Sequence, residues 1–337
     1  MKKVKIYLLF TILFSVLFSC ESEKEKVLPA YTGASGELMF ICDDATWAVI
    51  KDSVAVWFQD NYPSIPQPEA MFRVSQFNAG EINTLLERHR NTIAITFDQK
   101  AQPSLKLYKN YKSKGQVYFN VVAGNNEEVI NLLATKQKQI NKTLKTEERK
   151  RYAKKLKAFP NRDAQIWLKK NLGLNVDIPK GFEFVDQDST FAWFKRERMK
   201  NLGGTKHYIE ENLVIYMDSY RSEDQFNDSA LVEMRDRILG QRIPGPKPKS
   251  KMTTQNTPFV QQTFESVMLH NRYSVEWRAL WRASDSFIGG PFVALTTLNP
   301  NQDKVVTVEG FINAPKFNKR EYIKQMEALI YTLQFEK

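Results

Sequence analysis

Apolar and polar positions along the chain change period several times, and each change marks an element. Leu38-Met39-Phe40-Ile41-Cys42 is a continuous apolar run that reads as a strand over 37–42. Asp43 and Asp44 then supply a helix cap. Trp47, Ile50, Val54, Trp57 and Phe58 follow at helical spacing, which predicts a helix over 45–59 with one buried face. Pro63, Pro66 and Pro68 lie beyond its end. The pattern next predicts a strand over 71–75, a helix over 80–90 with Ile82, Leu85 and Leu86 on one side, and strands over 91–97 and 116–123. A long helix starts near Glu127. Its stripe runs Val129, Leu133, Ile140, Leu144, Tyr152, Leu156 and Phe159, and it slips near Thr146-Glu147-Glu148. A threonine followed by two acids is itself a helix-start signal, so either a bend or two helices are expected there. Pro160 ends the run.

A short helix over 161–171 carries Trp167, and the stretch from Leu172 to Gly181 reads as the entry to a second domain. Strands dominate from there: 182–185, 190–195, 212–218, 259–269, 272–283, 291–298 and 304–312. Two helices interrupt or close them. One, over 229–239, shows Leu231, Met234 and Ile238; the other, over 319–333, shows Tyr322, Met326, Leu329, Ile330 and Leu333 on one face. Residues 242–251 hold Pro244, Pro246 and Pro248 with four basic residues and no acid, an exposed, mobile loop. The expected fold class is α+β: two sheet-and-helix layers, the C-terminal one mainly antiparallel with a closing C-terminal helix. The domains expected are 37–160, with the long basic helical segment, and 161–337. Within 272–283 the alternation is clean. Tyr273, Val275, Trp277, Ala279 and Trp281 occupy one face, and Ser274, Glu276, Arg278, Leu280 and Arg282 the other. Such alternation predicts an aromatic face packed under helices with the arginines in solvent; an aromatic platform for a sugar or peptide is the other reading.

Composition changes the picture in one place. A chain of 337 residues with 42% hydrophobic and 26% charged residues is ordinary for a globular protein. The net charge of +11 is not spread evenly. Between 136 and 170 there are thirteen Lys and Arg against Glu147, Glu148 and Asp163. One segment is basic, and the rest is close to balanced. Lys136, Lys138, Lys142, Lys145, Arg149, Lys150, Arg151, Lys154, Lys155 and Lys157 are therefore candidates for contact with an anionic surface, lipid headgroups or an acidic polysaccharide, against the plainer reading of a solvated helix face.

The first twenty residues carry a different message. Lys2, Lys3 and Lys5 precede an apolar stretch from Ile6 to Phe18, and Leu17-Phe18-Ser19-Cys20 closes it. This resembles a bacterial lipoprotein signal, cleaved before a cysteine that is then acylated. The resemblance implies removal of 1–19, lipid on Cys20, a spacer over 20–36, and an anchor in the cell envelope, with the outer membrane the expected site. Glu21-Ser22-Glu23-Lys24-Glu25-Lys26 resembles an acidic surface-export signal, and the periplasmic and surface faces both stay open. Membrane contact through the anchor and other envelope proteins are the expected partners, and nucleic acid is not. Cys42 is then the second of two cysteines, read as a buried strand thiol with pairing between chains as the alternative.

Catalytic motifs do not stand out. His89, His207 and His270 are far apart in sequence, and no metal-ligand pair, phosphate loop or Gly-x-Ser-x-Gly occurs, so neither cofactor nor metal is expected. Asp188-Ser189-Thr190 and Asp228-Ser229-Ala230 resemble an O-glycosylation signal of some Gram-negative envelopes. Ser189 ranks ahead of Ser229, and Ser53, in Asp52-Ser53-Val54, ranks last. Ile178-Pro179 with Gly181-Phe182, Gly289-Gly290-Pro291-Phe292 and Val308-Glu309-Gly310-Phe311, added to the lipoprotein signal and its spacer, resemble an uncharacterised family of Gram-negative lipoproteins, a domain of unknown function. The second half also resembles the PsbP-like fold, which carries no function by itself. Two functions are expected to compete: a binding or assembly module without catalysis, and a hydrolase acting on envelope polysaccharide or peptide.

Overall fold

The computed structural model describes residues 27–256 and 260–336. The expected signal peptide, Cys20 and the acidic run after it lie outside the described residues. The first sheet is built from β1 (Glu37–Ile41), β2 (Arg73–Phe77), β3 (Asn91–Phe97), β4 (Ser104–Lys109) and β5 (Val117–Ala123), in the order β2-β1-β3-β5-β4. All its neighbours are parallel except β4, which runs antiparallel to β5 at the edge. Helices α1 (Asp44–Phe58) and α2 (Asn126–Lys157) cover one face. Leu38 and Phe40 of β1, Phe119 and Val121 of β5, Ile50 and Val54 of α1, and Leu133, Ile140 and Leu144 of α2 form its core. Asp43 caps α1 by accepting from the Thr46 amide at 2.7 Å, as the acidic pair before the helix predicts. Cys42, just past β1, is buried in this core.

Two expectations fail in this half. The segment 80–90 is not a helix but two short 3-10 turns, Ala79–Glu81 and Leu86–Arg88. Asn83 Oδ1 accepts from the amides of Leu85 and Leu86, and Asn78 and Glu81 form a closed capping box, so local side-chain bonds displace the helical ladder. The long helix does not divide into two or restart at Thr146. Its 32 residues run unbroken, because Thr146 Oγ1 donates back to the Lys142 carbonyl at 2.7 Å instead of capping, and Glu148 turns inward. The strand β4 was not expected, although Leu105 and Leu107 alternate with Ser104 and Lys106; two of its six positions are half-buried and the other four are exposed.

Helix α3 (Arg162–Leu172) and the short strand β6 (Leu174–Asn175) lead into the second sheet. That sheet is antiparallel throughout, in the order β10-β12-β13-β14-β9-β8-β7, with β11 also paired to β12. Its strands are β7 (Glu183–Gln187), β8 (Phe191–Leu202), β9 (Thr205–Ser219), β10 (Met252–Gln255), β11 (Thr263–Leu269), β12 (Arg272–Ala283), β13 (Gly289–Leu298) and β14 (Lys304–Asn313). Strands β8 and β9 extend well past the expected 195 and start well before 212; Gly203 and Gly204, both at positive φ, form the two-residue turn that joins them. Helix α4 (Asp228–Arg242) covers one face with Leu231, Met234 and Leu239 against Trp277, Trp281 and Phe292. Helix α5 (Arg320–Ile330) covers the other with Ile323, Met326 and Leu329 against Leu295, Val308 and Ile312. The strand β15 (Gln334–Phe335) then pairs with β6. Glycines in the two sequence motifs make this packing possible. A Cβ on Gly310 would sit 2.4 Å from Met326 Cβ of α5, and one on Gly290 would sit 2.0 Å from the Ile312 carbonyl oxygen.

The aromatic face of β12 packs under α4, as its alternation predicts. The opposite face corrects the expectation. Glu276 and Arg278 are buried, and of the two arginines only Arg282 is exposed. They are covered because α5 and the segment after α1 close over that face, an arrangement that alternation within one strand does not encode. The loop 242–251 is exposed at its tip but tied at its base, where the Gly245 amide donates to Ser250 O and the Met252 amide to Ile243 O. Among the described residues no helix is long and apolar enough to cross a membrane.

Candidate functional site

Helix α5 lies between its own sheet and α2, and beside that contact opens a cleft of about 980 Å³. One wall comes from α2, which presents Lys138, Lys142, Lys145 and Arg149. Their spacing of four, three and four residues places them on one helical face. Trp57, at the end of α1, and Tyr62 and Pro63 after it form an end of the cleft. The facing wall is β11, which contributes the consecutive residues Glu265, Ser266, Val267 and Met268, with Tyr273 of β12 beside them. The floor holds Glu276, Arg278, Lys324, Glu327 and Tyr331.

The floor is a compensated charge network. Arg278 Nη2 stands 2.8 Å from Glu276 Oε1 and 2.9 Å from Glu327 Oε2. Tyr62 donates its hydroxyl to Glu327 at 2.7 Å, and Tyr331 donates to Glu276 at 2.5 Å. Arg149 reaches in from α2 to Glu327 at 3.3 Å, with its guanidinium 3.5 Å above the Tyr331 ring. Burial pushes the Glu327 carboxyl up, but Arg278 and then Arg149 outweigh it and hold it well below the usual carboxylate range. Burial is the first cause of the raised Tyr62 and Tyr331 pKa values, so both phenols stay protonated donors. Lys324 differs from its neighbours. It is 8% exposed, and its Nζ has no hydrogen-bond partner among the described residues. The amine lies 5.7 Å from the ring centroids of both Tyr62 and Phe72. Burial pulls its pKa down, against the pull upward of Glu321, Glu148 and Glu327.

This chemistry suits binding better than proton transfer. Of the carboxylates that line the cleft (Asp60, Glu148, Glu265, Glu276 and Glu327), the two on its floor, Glu276 and Glu327, are both paired with Arg278, and Glu327 stays ionised, so it does not serve as a general acid. Among the described residues no group of three His, Cys, Asp or Glu could hold a metal ion. His89 is buried with Nδ1 2.9 Å from the Asn91 carbonyl oxygen, His207 packs edge-on to Phe317, and His270 lies in the β11–β12 turn, so the histidines do not converge.

The ten basic candidates are split by the fold. Lys138, Lys142 and Lys145 are exposed along the cleft, and Arg149 is half-buried on its floor side. Lys136 is half-buried, Lys150 bonds to Glu147, and Lys154, Lys155 and Lys157 are exposed nearer the helix end. Arg151 is no surface residue. It bonds to Glu148 at 2.5 Å and to the carbonyls of Arg90 and Gly115, inside a buried group that also contains Arg90 and Asn91. Ser189 is exposed in the β7–β8 turn, and Ser229 is exposed in the first turn of α4; Ser53, by contrast, is half-buried within α1. Cys20 lies outside the described residues. Sequence reasoning missed Tyr62, Glu276, Arg278, Lys324, Glu327 and Tyr331. A signal was present only in α5, where Lys324 and Glu327 sit three apart on a helix whose apolar stripe already covers the sheet.

Comparison with known proteins adds family rather than activity. No curated protein matches the chain. Among solved structures, the Saccharomyces cerevisiae Ran-binding protein Mog1p is similar at 7% identity and a TM-score of 0.31, covering 48% of this chain and 90% of that one. A mutant of protein Mog1 is similar at 10% identity and a TM-score of 0.30, with the same coverages. A Bacteroides thetaiotaomicron protein is similar at 9% identity and a TM-score of 0.22, covering 50% of this chain and 46% of that one. Likenesses this distant carry no argument about function. Two family models match in sequence: Domain of unknown function (DUF8532) over residues 32–157, and Domain of unknown function (DUF4837) over residues 161–332. The second spans more than half of the 337 residues, and the chain belongs to the DUF4837 family.

Proposed function

We propose that this protein is a non-catalytic binding module of the cell envelope, tethered through lipid on Cys20, and that its cleft receives an anionic ligand. The observation that carries the binding reading is the α2 wall of the cleft, where Lys138, Lys142 and Lys145 are exposed on one helical face and Arg149 follows them inward. A row of cations along one wall attracts a carboxylate, phosphate or sulfate. The tether rests on the lipoprotein-like sequence that ends at Cys20. An anchor of two or three acyl chains would hold the domain at a membrane permanently, at about 0.8 kcal/mol for each buried methylene.

Trp57 lines the cleft and supplies a fluorescence signal. Titration of the full-length protein with citrate, heparin, poly-glutamate and anionic vesicles is expected to give saturable, salt-weakened binding with at least one of them. Lys142→Glu with Lys145→Glu should lower that affinity at least tenfold. Absence of saturable binding with every anion would remove the cleft reading. The tether is checked separately by the mass of the native N-terminus, and an intact Met1 on the bulk of the protein would reject it.

A hydrolase remains the second reading, because Glu276 and Glu327 are two carboxylates that share one arginine in a cleft. It requires polysaccharide or peptide cleavage that is lost in Glu276→Gln with the fold intact.

A further inference from the structure

The cleft has a feature that a small anion would not use. Strand β11 pairs with β12 along one edge, over the register from Thr263↔Arg278 to Leu269↔Arg272. Among the described residues its other edge is paired with no strand. Side chains alternate along a strand, so Glu265 and Val267 share the Glu276 face of the sheet, and Ser266 and Met268 the other. All four nevertheless line the cleft, which places the free edge of β11, with its open backbone groups, along the cleft wall. Two residues before the strand, Ser64 donates its hydroxyl to the Gln261 carbonyl at 3.1 Å, and within the strand Glu265, Ser266 and Met268 are exposed. Met268 at 65% exposure and Tyr273 at 52% form its lip. Across the cleft, the cations of α2 follow one another at roughly 4.5–6 Å along the helix axis. Same-face residues of an extended strand follow at roughly 6.8 Å, close enough for flexible lysines to match.

We propose that the ligand of this cleft is an extended polypeptide segment with acidic residues at alternate positions, which adds as a strand to the free edge of β11 and turns its carboxylates toward Lys138, Lys142, Lys145 and Arg149. The proposal rests on the cleft being a binding site and goes beyond it by naming the ligand and its backbone pairing. Strand addition takes its affinity from main-chain hydrogen bonds and its selectivity from alternate side chains. The α2 cations supply the second term, and the unpaired edge supplies the first. The carboxylate seated deepest is the one that approaches Arg149.

The test uses the full-length protein and a capped eight-residue peptide that alternates glutamate with threonine. Saturable binding is expected, with hydrogen exchange of the outward amides between Phe264 and Met268 slowed at least tenfold. A peptide of the same sequence, N-methylated at alternate residues so that one edge has no donors, should bind at least tenfold more weakly at the same charge. Lys142→Glu with Lys145→Glu, both exposed, should also cost at least tenfold. Equal binding of the N-methylated peptide, or binding without protection of β11, overturns strand addition and leaves the cleft as an anion site. Saturable binding of anionic vesicles or citrate that depends on Lys142 and Lys145, with none of the peptide, also overturns it and points to a membrane or small-anion ligand. If no probe binds, strand addition and the cleft reading both fall.

Discussion

Arg235 and Glu309 show how strongly a single pair can be committed. Both are fully buried, with Arg235 Nη2 2.7 Å from Glu309 Oε1 and Nε 2.9 Å from Oε2, and the guanidinium lies 4.0 Å over the Phe292 ring. Removal of one partner strands the other charge in an apolar layer, so Arg235→Met should destabilise the chain by about 3–5 kcal/mol. Arg235→Met with Glu309→Leu should recover most of that loss, as read from denaturant midpoints, and strictly additive losses would show that the pair is not coupled. Cys42 is committed in another way. Burial first, then Asp43 and Asp44, push its thiol up to about 11, which makes it a poor nucleophile at neutral pH. The family-like motif Val308-Glu309-Gly310-Phe311 now has a physical reason at each centre: Glu309 answers Arg235, and Gly310 leaves room for Met326.

Helix α5 is the element on which the two halves depend. Its own N-cap residue, Lys319, makes no side-chain cap. The cap comes from Glu69, about 250 positions earlier, whose carboxylate accepts from the Lys319 amide at 2.6 Å and the Arg320 amide at 3.1 Å. Glu69→Ala should therefore cost about 1–2 kcal/mol, the range of a lost helix cap. Glu69→Gln, which keeps an acceptor, should cost less than half as much; equal losses in urea denaturation would show that the contact is only packing. Tyr62 and Tyr152 from the first half donate to Glu327 and Glu321, so the polar face of α5 is bonded across to the first half. The expected helix and its apolar stripe were legible from Tyr322, Met326 and Leu329. Its polar face was not, because a charged residue looks the same in sequence whether it faces water or another charge.

At the scale of the molecule, two sheets with their helices are joined through a layer of buried charge, and that layer ties stability to pH. Glu148, Glu321 and Glu327 all have lowered pKa values, since nearby cations outweigh burial: Arg90 and Arg151 for Glu148, Lys324 for Glu321, Arg278 and Arg149 for Glu327. A carboxylate lowered in the folded state contributes stability that is present above its unfolded pKa of about 4.3 and is lost as pH falls through the folded value. The urea midpoint should thus fall steadily on acidification below about pH 4.5. Glu327→Gln should flatten that fall, and an unchanged slope would place the sensitivity elsewhere. By itself the sequence determined the elements whose signals are local: the β1 run, the Asp43 cap, the 3.6-residue stripes of α1, α2 and α5, the exact span of β3, and the β12 hairpin with β11. These need only neighbours along the chain, and they were enough for the α+β class and its antiparallel second layer. The cleft, the edge of β11 that borders it, the inward turn of Arg149, Arg151 and Arg278, and the isolation of Lys324 were decided by tertiary structure alone. Each depends on which surface from another part of the chain closes over a residue, about sixty positions away for Arg90 over Arg151 and over two hundred for Tyr62 over Arg278, and no periodicity within one element records that.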